Sequence, residues 1–475
     1  MTPQEVIKTQ LDRARMAAQH GGMSDLPPES APRLLSVEER RALGHAKRAA
    51  LSRSAHAEWQ AALNRDDPVD LLRAGEAGRL PSLLPLRYGR MAVDPFAFFR
   101  GAAAVMAADL GATPNTGLRT QLCGDAHLAN FGAMCGLSGE ALFDVNDFDE
   151  TLPGPFEWDI KRLAASLVVA GRVQNLSDKA CRALARRATH AYRREINDLA
   201  GVPPFEAWNA RVRLEDAVEE IGDRDVRKRE RHRLQMVLQA SQDGYRHLIA
   251  GNTTLRLPER PPAIFRLGQH EAVAHAAFAS YAAHAPAEMR ALLDCYRLRD
   301  VAFKAVGVGS VGTFCAIGLF ATADGDTLLL QLKQALRSVL APYAGESAYA
   351  HAGQRVVVGQ RMLQAEPDVF LGFTDYADRQ FYVRRLKDPR VAVIGAEIEA
   401  SALPYTARLC GRTLARAHSR AGDAALISGY LGDGDSFDEA VAQFALTYAD
   451  QTQRDHARLV QAIADGEIEA AKERS

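Results

Sequence analysis

Residues 306–333 read VGVGSVGTFCAIGLFATADGDTLLLQLK. Together with the residues just before and after them they divide into three β-rich runs, VAFKAVGVG, TFCAIGLFA and TLLLQLKQA, the last two separated by the turn ADGD. Gly307, Gly309 and Gly312, with Ser310 among them, lie between the first two runs. A glycine-rich hairpin lets backbone amides approach phosphate oxygens with no side chain in the way. The same spacing marks a dinucleotide site only when a helix follows at once and an acidic residue stands about 20 positions on. Here TFCAIGLF reads as a strand. The third run delivers Lys333 among apolar neighbours. A lysine avoids full burial unless it is paired, and phosphates are a partner that fits. The plain alternative is a strand-end lysine reaching solvent.

Outward from this stretch, GQRVVVGQRMLQ (353–364) reads as a helix, and FLGFT and QFYVRRL as two more strands. Helices return after about residue 389. Before residue 300 the chain is mostly helical. FAFFRGAAAVMAADL (96–110) reads as one buried helix. In 153–172, Ile160, Leu163, Leu167 and Val168 form one helical face. Residues 118–122 and 141–145 are short strands, 38–64 is helical, and loops fall at 21–32 and 251–262. The mixed charges of 209–233 suit a solvated helix face. SFDE (436–439) reads as a capping box. The expected organisation is an N-terminal helical arm (1–80), a helical lobe (81–299), a five-strand β-rich lobe with one helix (300–390) and C-terminal helices (391–475) that complete the helical lobe.

A second stretch carries acids. Residues 123–150 read CGDAHLANFGAMCGLSGEALFDVNDFDE. Asp125 and Asn130 are spaced D-x-x-x-x-N, so both can face one ligand from a tight loop. In FDVNDFDE, Asp147 and Asp149 stand in a run of carboxylates after a short strand. Carboxylates crowded together repel one another without a cation, and magnesium is a hard cation that takes oxygen ligands. An EF-hand fits poorly: counted from Asp144, the sixth position is Asp149, where glycine is needed, and the twelfth is Pro155.

The string GDAHLAN resembles the G-D-x-H-x-x-N loop of aminoglycoside phosphotransferases and choline kinases, and Asp147-Phe148 resembles the D-F-x element of kinases. The resemblance implies that Asp125 is the base and that Asn130 and Asp147 hold magnesium, with Asp149 a second ligand. Gly307, Gly309, Ser310, Gly312 and Lys333 would then bind ATP. Asp159 resembles the structural aspartate of those enzymes. LARAHSRAGD (414–423) resembles the helix that precedes their catalytic loop, with His418 structural. In kinases the glycine loop comes first, and here it comes second. The implied fold class is therefore α+β, a two-lobed protein-kinase-like fold in circularly permuted order. Such enzymes position the lysine with a helix glutamate. Helix 353–364 has none, which leaves Gln354, Gln360 or Arg361 to line the cleft. Arg90 and Arg100 could line it too, or form structural ion pairs.

Nine strings spread over most of the chain, among them GDAHLANFG, FDVNDFDET, VGVGSVGTFC, LQLKQA and YADQTQRDH, identify it as similar to the bacterial family named domain of unknown function 2252. That family pattern places glutamate where Gln334 and Val358 stand. The resulting expectation is an ATP- and magnesium-dependent transfer of a phosphoryl group to a hydroxyl. Three other expectations accompany it: a nucleotide-binding pseudokinase scaffold, nucleotidyl transfer to a protein side chain, and a phosphoesterase that uses the aspartates alone.

Composition narrows the partners. Lys plus Arg (58) balances Asp plus Glu (59), which disfavours a nucleic-acid or membrane-surface partner held by bulk charge. The six cysteines include no C-x-x-C pair, and their sparsity suits a reducing compartment. No apolar run approaches the roughly 20 residues of a membrane span, and the N-terminus carries no apolar signal core. The expected location is cytoplasmic, with a nucleotide and a hydroxyl-bearing acceptor as ligands.

Overall fold

The computed structural model describes residues 34–136, 139–243, 248–249, 255–305, 307–386 and 398–471. The loop expected at 21–32, the start of the 251–262 loop, Val306 and the return to helix near 389 lie outside these residues.

The architecture is α+β. The strands are β1 (Arg119–Leu122), β2 (Phe131–Cys135), β3 (Ala141–Val145), β4 (Leu152–Pro155), β5 (Ile264–Phe265), β6 (Arg297–Lys304), β7 (Cys315–Ala321), β8 (Thr327–Gln334), β9 (Gly372–Tyr376) and β10 (Arg379–Arg385). β1 pairs with β4 and β2 with β3, while the others form one sheet in the order β5-β6-β7-β8-β10-β9. Every pairing is antiparallel. β7 is buried along its whole length and β8 along all but its first residue. This explains their near-continuous apolar composition: both faces of the sheet centre are covered. On one face Ala274, Ala277, Phe278 and Tyr281 of the helix Gly268–His284 pack on Phe303, Leu330, Leu332 and Phe381. On the other, Leu329, Ile317 and Leu319 pack against Leu248 and Leu257.

The sheet therefore reaches further toward the N-terminus than the 300–390 span expected for it. It has a sixth strand, β5, and its covering helix comes from 268–284. Two residues of β5 are too few for a periodic signal, and the small residues of that helix read as helix without saying what they cover.

The helical body centres on Glu157–Val173, buried from Glu157 through Gly171. The helices Asp178–Leu199, Leu403–Ala421 and Ser436–Ala464 pack around it in one continuous apolar core. Three local expectations are corrected here. Residues 96–110 form two helices, Pro95–Gly101 and Ala103–Gly111, broken at Ala102 (φ −111°, ψ 37°). At the break, Arg162 and Arg87 take the carbonyls of Phe99 and Gly101 at 2.9 and 3.3 Å. Residues 38–64 form the helix Val37–Ala46 followed by two short 3-10 turns. Ser436 is not an N-cap: the helix is capped at Asp435, whose carbonyl accepts the Glu439 amide at 2.9 Å, and the Glu439 carboxylate pairs with Arg182 (2.6 Å) and Arg186 instead. The capping box stands instead at Ser36 and Glu39. Among the described residues no helix is long and apolar enough to cross a membrane.

Candidate functional site

Strand register places Lys333. In β8 it stands opposite Cys315 of β7 and Tyr382 of β10. Its side chain is 1% exposed, ion-paired with Asp149 and 3.7 Å from Asp147. Tyr382, whose ring centre is 5.9 Å from the ammonium, donates its hydroxyl to Asp149 at 2.7 Å. The Ser310 hydroxyl donates to the other Asp149 oxygen at 3.2 Å. Burial works against the ammonium, but the two aspartates outweigh it and hold Lys333 well above the ordinary lysine range. Burial likewise disfavours the Asp149 carboxylate, yet Lys333 and the Lys333 and Tyr382 hydrogen bonds keep it below the usual value. Asp147 is pushed the other way, by burial and by Asp149. The two carboxylates keep 29% and 24% of their side-chain surface open.

The loop after β1 meets these aspartates from the helical body. Gly124 has φ +86°, and a Cβ there would stand 2.3 Å from the Glu150 carbonyl oxygen. Only glycine allows the two acidic loops to come this close. Asp159 supports the turn from below. Its oxygens accept the Cys123 and Gly124 amides at 2.8 and 3.1 Å. His418 lies 3.2 Å from Asp159 and 2.9 Å from the Tyr192 hydroxyl, fully buried. Asp125 is held through one oxygen by Arg162 Nε at 2.5 Å, and its other oxygen is 3.7 Å from His127 Nε2. Burial pushes Asp125 up, and Arg162 opposes it. Burial, with Arg162 and Arg100, keeps His127 neutral, far below the ordinary histidine value. Asn130 donates its amide nitrogen to the Asp125 carbonyl at 2.8 Å, which leaves its amide oxygen for a cation. The Asn146 amide donates to the Asn130 carbonyl at 2.7 Å, tying the two loops together.

Between these groups lies a cleft of about 870 Å³ whose lining includes Asp125, Asn130, Asp147, Asp149, Gly309 and Ser310. Gly307 lines it as well. Lys333 sits behind the two aspartates. Gly312 faces elsewhere: its carbonyl accepts the Leu80 amide at 2.6 Å, and its φ of +93° lies against the Arg79 side chain. Arg90 donates to the Gly307 carbonyl at 2.8 Å and so straps the loop, while Arg100 lines the cleft.

Helix Ala352–Leu363 holds the site in a way its sequence did not announce. Gln360 bonds Gln364 at 2.8 Å, and Arg361 bonds the Leu371 carbonyl at 2.7 Å. Neither they nor Gln354 line the cleft. The contributing residue is Arg355, which donates to the Thr151 and Asp149 carbonyls at 2.6 and 2.8 Å. Arg162, Arg355 and Tyr382 were not foreseen. The one available signal was a buried-looking arginine in each apolar helix; Tyr382 becomes visible only once register is known.

The donor set suits magnesium. Among the described residues no group of three His, Cys, Asp or Glu is arranged to hold a metal. Magnesium, however, commonly takes one or two carboxylates and completes its shell with waters and phosphates. Asp147, Asp149 and the Asn130 oxygen fit that habit, and the open carboxylate surface faces the cleft.

A family model described as "Uncharacterized protein conserved in bacteria (DUF2252)" matches residues 79–462. No curated protein and no solved structure matches. The match begins at Arg79, beside the glycine loop, and takes in every cleft residue named above, so the chain belongs to the bacterial family DUF2252.

Proposed function

We propose that this chain is an ATP- and magnesium-dependent phosphotransferase acting on a hydroxyl, with a two-lobed, kinase-like layout in permuted order. One observation carries the reading. Lys333 and Asp149, 184 residues apart, form an ion pair at the floor of a cleft that also contains Asp125, Asn130, Asp147 and a glycine loop. Lysine, paired acids and a glycine turn in one pocket are the parts that phosphoryl transfer needs for positioning and charge neutralisation. His418 behind the Asp125 loop, from a helix late in the chain, supports the permuted order.

Asp125 offers its outer oxygen to the acceptor hydroxyl. As that oxygen takes the proton, the hydroxyl oxygen bonds to the γ-phosphorus, and ADP leaves with the electrons of the broken P–O bond. Arg162 fixes the Asp125 rotamer, and Arg355 fixes the backbone that presents Asp149. Lys333, freed from part of its pairing, reaches the phosphates. Asp147, Asp149 and Asn130 would hold magnesium, which neutralises phosphate charge.

The test is Mg-ATP binding by calorimetry, followed by ADP release against a panel of hydroxyl compounds. Lys333→Met should abolish binding, and Asp125→Asn should spare binding but reduce turnover by about 10²-fold or more. Absence of Mg-ATP binding by the wild-type chain sinks the proposal. A binding-only scaffold is favoured by one feature: helix Ala352–Leu363 carries no carboxylate to pair with Lys333. Binding without ADP release against any acceptor would select it.

A further inference from the structure

The acids of the cleft are each matched by a cation, and three of its arginines are not. Asp125 has Arg162 at 2.5 Å, and Asp147 and Asp149 share Lys333. Glu150 accepts the Val339 amide at 2.7 Å and faces the charge of Arg355. The same cleft is lined by Arg79, Arg87 and Arg100, none of which forms an ion pair among the described residues. Arg79 is spent on carbonyls, of Gly75 at 2.8 Å and of Gly309 and Val311 at 2.9 and 2.6 Å. Arg87 is 3% exposed, and its Nε and Nη1 are buried without a hydrogen-bond partner. Arg100 Nε is also buried and unpartnered.

A buried guanidinium that lacks an acceptor is costly and is retained where something else supplies the acceptor. Burial depresses all three arginines, Arg79 to about 10, with Arg87 adding to the depression of Arg79. The position of the wall says which ligand it serves. Arg162 bridges Asp125 and the Phe99 carbonyl, at 2.5 and 2.9 Å, and Arg87 reaches the Gly101 carbonyl at 3.3 Å, so Arg100 and Arg87 flank the backbone on the Asp125 side of the cleft. The glycine loop passes close to this wall: a Cβ at Gly309 would stand 3.1 Å from the Arg100 carbonyl.

We infer that Arg87 and Arg100 form an anion subsite beside Asp125, and that the acceptor therefore carries a negatively charged group, phosphate or carboxylate, next to the hydroxyl it presents. The acceptor part of this statement rests on the phosphotransferase reading, and the anion subsite does not.

The experiment is a thermal-shift titration of the full chain with orthophosphate and, separately, succinate, each alone and with Mg-ATP present. Orthophosphate or succinate should raise Tm, with the stronger of the two identifying the charged group. The shift should add to that of Mg-ATP. Arg100→Met and Arg87→Met should each weaken the anion about tenfold to a hundredfold, the loss expected for a charge-assisted contact. Arg100→Met should also keep the Mg-ATP shift and have an unliganded Tm at or above that of the wild type. A purely structural arginine would lower that Tm instead, and this result overturns the inference. So does an anion shift that survives both substitutions, one that disappears when Mg-ATP is present, or the absence of any shift with both anions. If the anion shift needs Arg100 but Mg-ATP gives none, the phosphotransferase reading fails and the subsite stands.

Discussion

Two regions of this molecule each set one cation between two aspartates, and they differ in what is left open. In the helical body Arg65 bonds Asp109 at 2.6 and 2.8 Å and Asp455 at 2.9 and 2.7 Å. Tyr448 and Gln451 supply the remaining donors, each at 2.7 Å. The arginine is 12% exposed and each aspartate 5%. In the cleft, Lys333 stands between Asp147 and Asp149, whose carboxylates remain a quarter open. The Arg65 cluster is closed on itself, and its excess negative charge is met by neutral donors. The Lys333 cluster also has neutral donors, Tyr382 and Ser310, and the charge of Arg384 nearby, yet it keeps a quarter of its carboxylate surface open to a cavity. Residue types alone do not separate structure from function here; the number of unfilled positions does.

The largest expected effect falls on the closed cluster. Arg65→Ala leaves two buried carboxylates without their cation, a change that costs about 3–5 kcal/mol in comparable settings. Denaturant unfolding measures it, and magnesium should not rescue it. A loss below about 1 kcal/mol would mean that the two clusters are not different in kind.

Lys333→Met should cost less, about 1–2 kcal/mol, because the open carboxylates can take water or a cation in place of the ammonium. The same substitution should increase the stabilisation by magnesium measured without nucleotide, since a positive charge 3.7 Å from Asp147 has been removed. Equal magnesium response in variant and wild type would break the contrast between open and closed clusters.

The two regions also hold one neutral histidine each. His56 is buried in the body, 2.7 Å from the Tyr430 hydroxyl, and burial keeps it well below the ordinary histidine value. His127 lines the cleft and is depressed by burial, then by Arg162 and Arg100. A histidine depressed in the fold contributes fully above its unfolded pKa, and that contribution is lost as pH falls below it, because only the unfolded chain takes the proton. Stability should therefore fall below about pH 6.5, by about 1.4 kcal/mol per pH unit for each histidine. His56→Phe should remove one share of that slope at any ligand concentration. Orthophosphate should reduce the share due to His127, because an anion beside Arg100 eases its protonation. Urea unfolding midpoints between pH 7 and 5 provide the readout.

Much of the frame was legible in the chain, because apolar strand runs and glycine placement are local signals. β3, β7, β8 and β10, the glycine turn between β6 and β7, and the acids of both loops follow from them. β2 and β4 did not: FGAMC is short and glycine-bearing, and LPGP looks like a helix lead-in until it pairs with β1. The partners of the acids were the least legible. Arg162 reaches Asp125 across 37 residues and Arg355 reaches Asp149 across 206, and no periodicity encodes such meetings.

The smallest predicted effect concerns a residue whose meaning changes once its direction is known. The resemblance leads to an expectation of glutamate where Gln334 stands, beside the lysine, which invites a catalytic role. Successive residues in a strand point to opposite faces. Lys333 faces the acids, so Gln334 faces away, where its amide oxygen accepts Arg379 at 2.9 Å and the Phe314 amide at 3.4 Å. Gln334→Glu should strengthen the Arg379 contact by roughly 0.5–1 kcal/mol as a charge-assisted bond replaces a neutral one. It should leave Mg-ATP affinity unchanged, because the new charge lies across the sheet from the Lys333 pair. A change of more than about threefold in nucleotide affinity would mean that the two faces of β8 communicate, and that the sheet is part of the cleft instead of only its support.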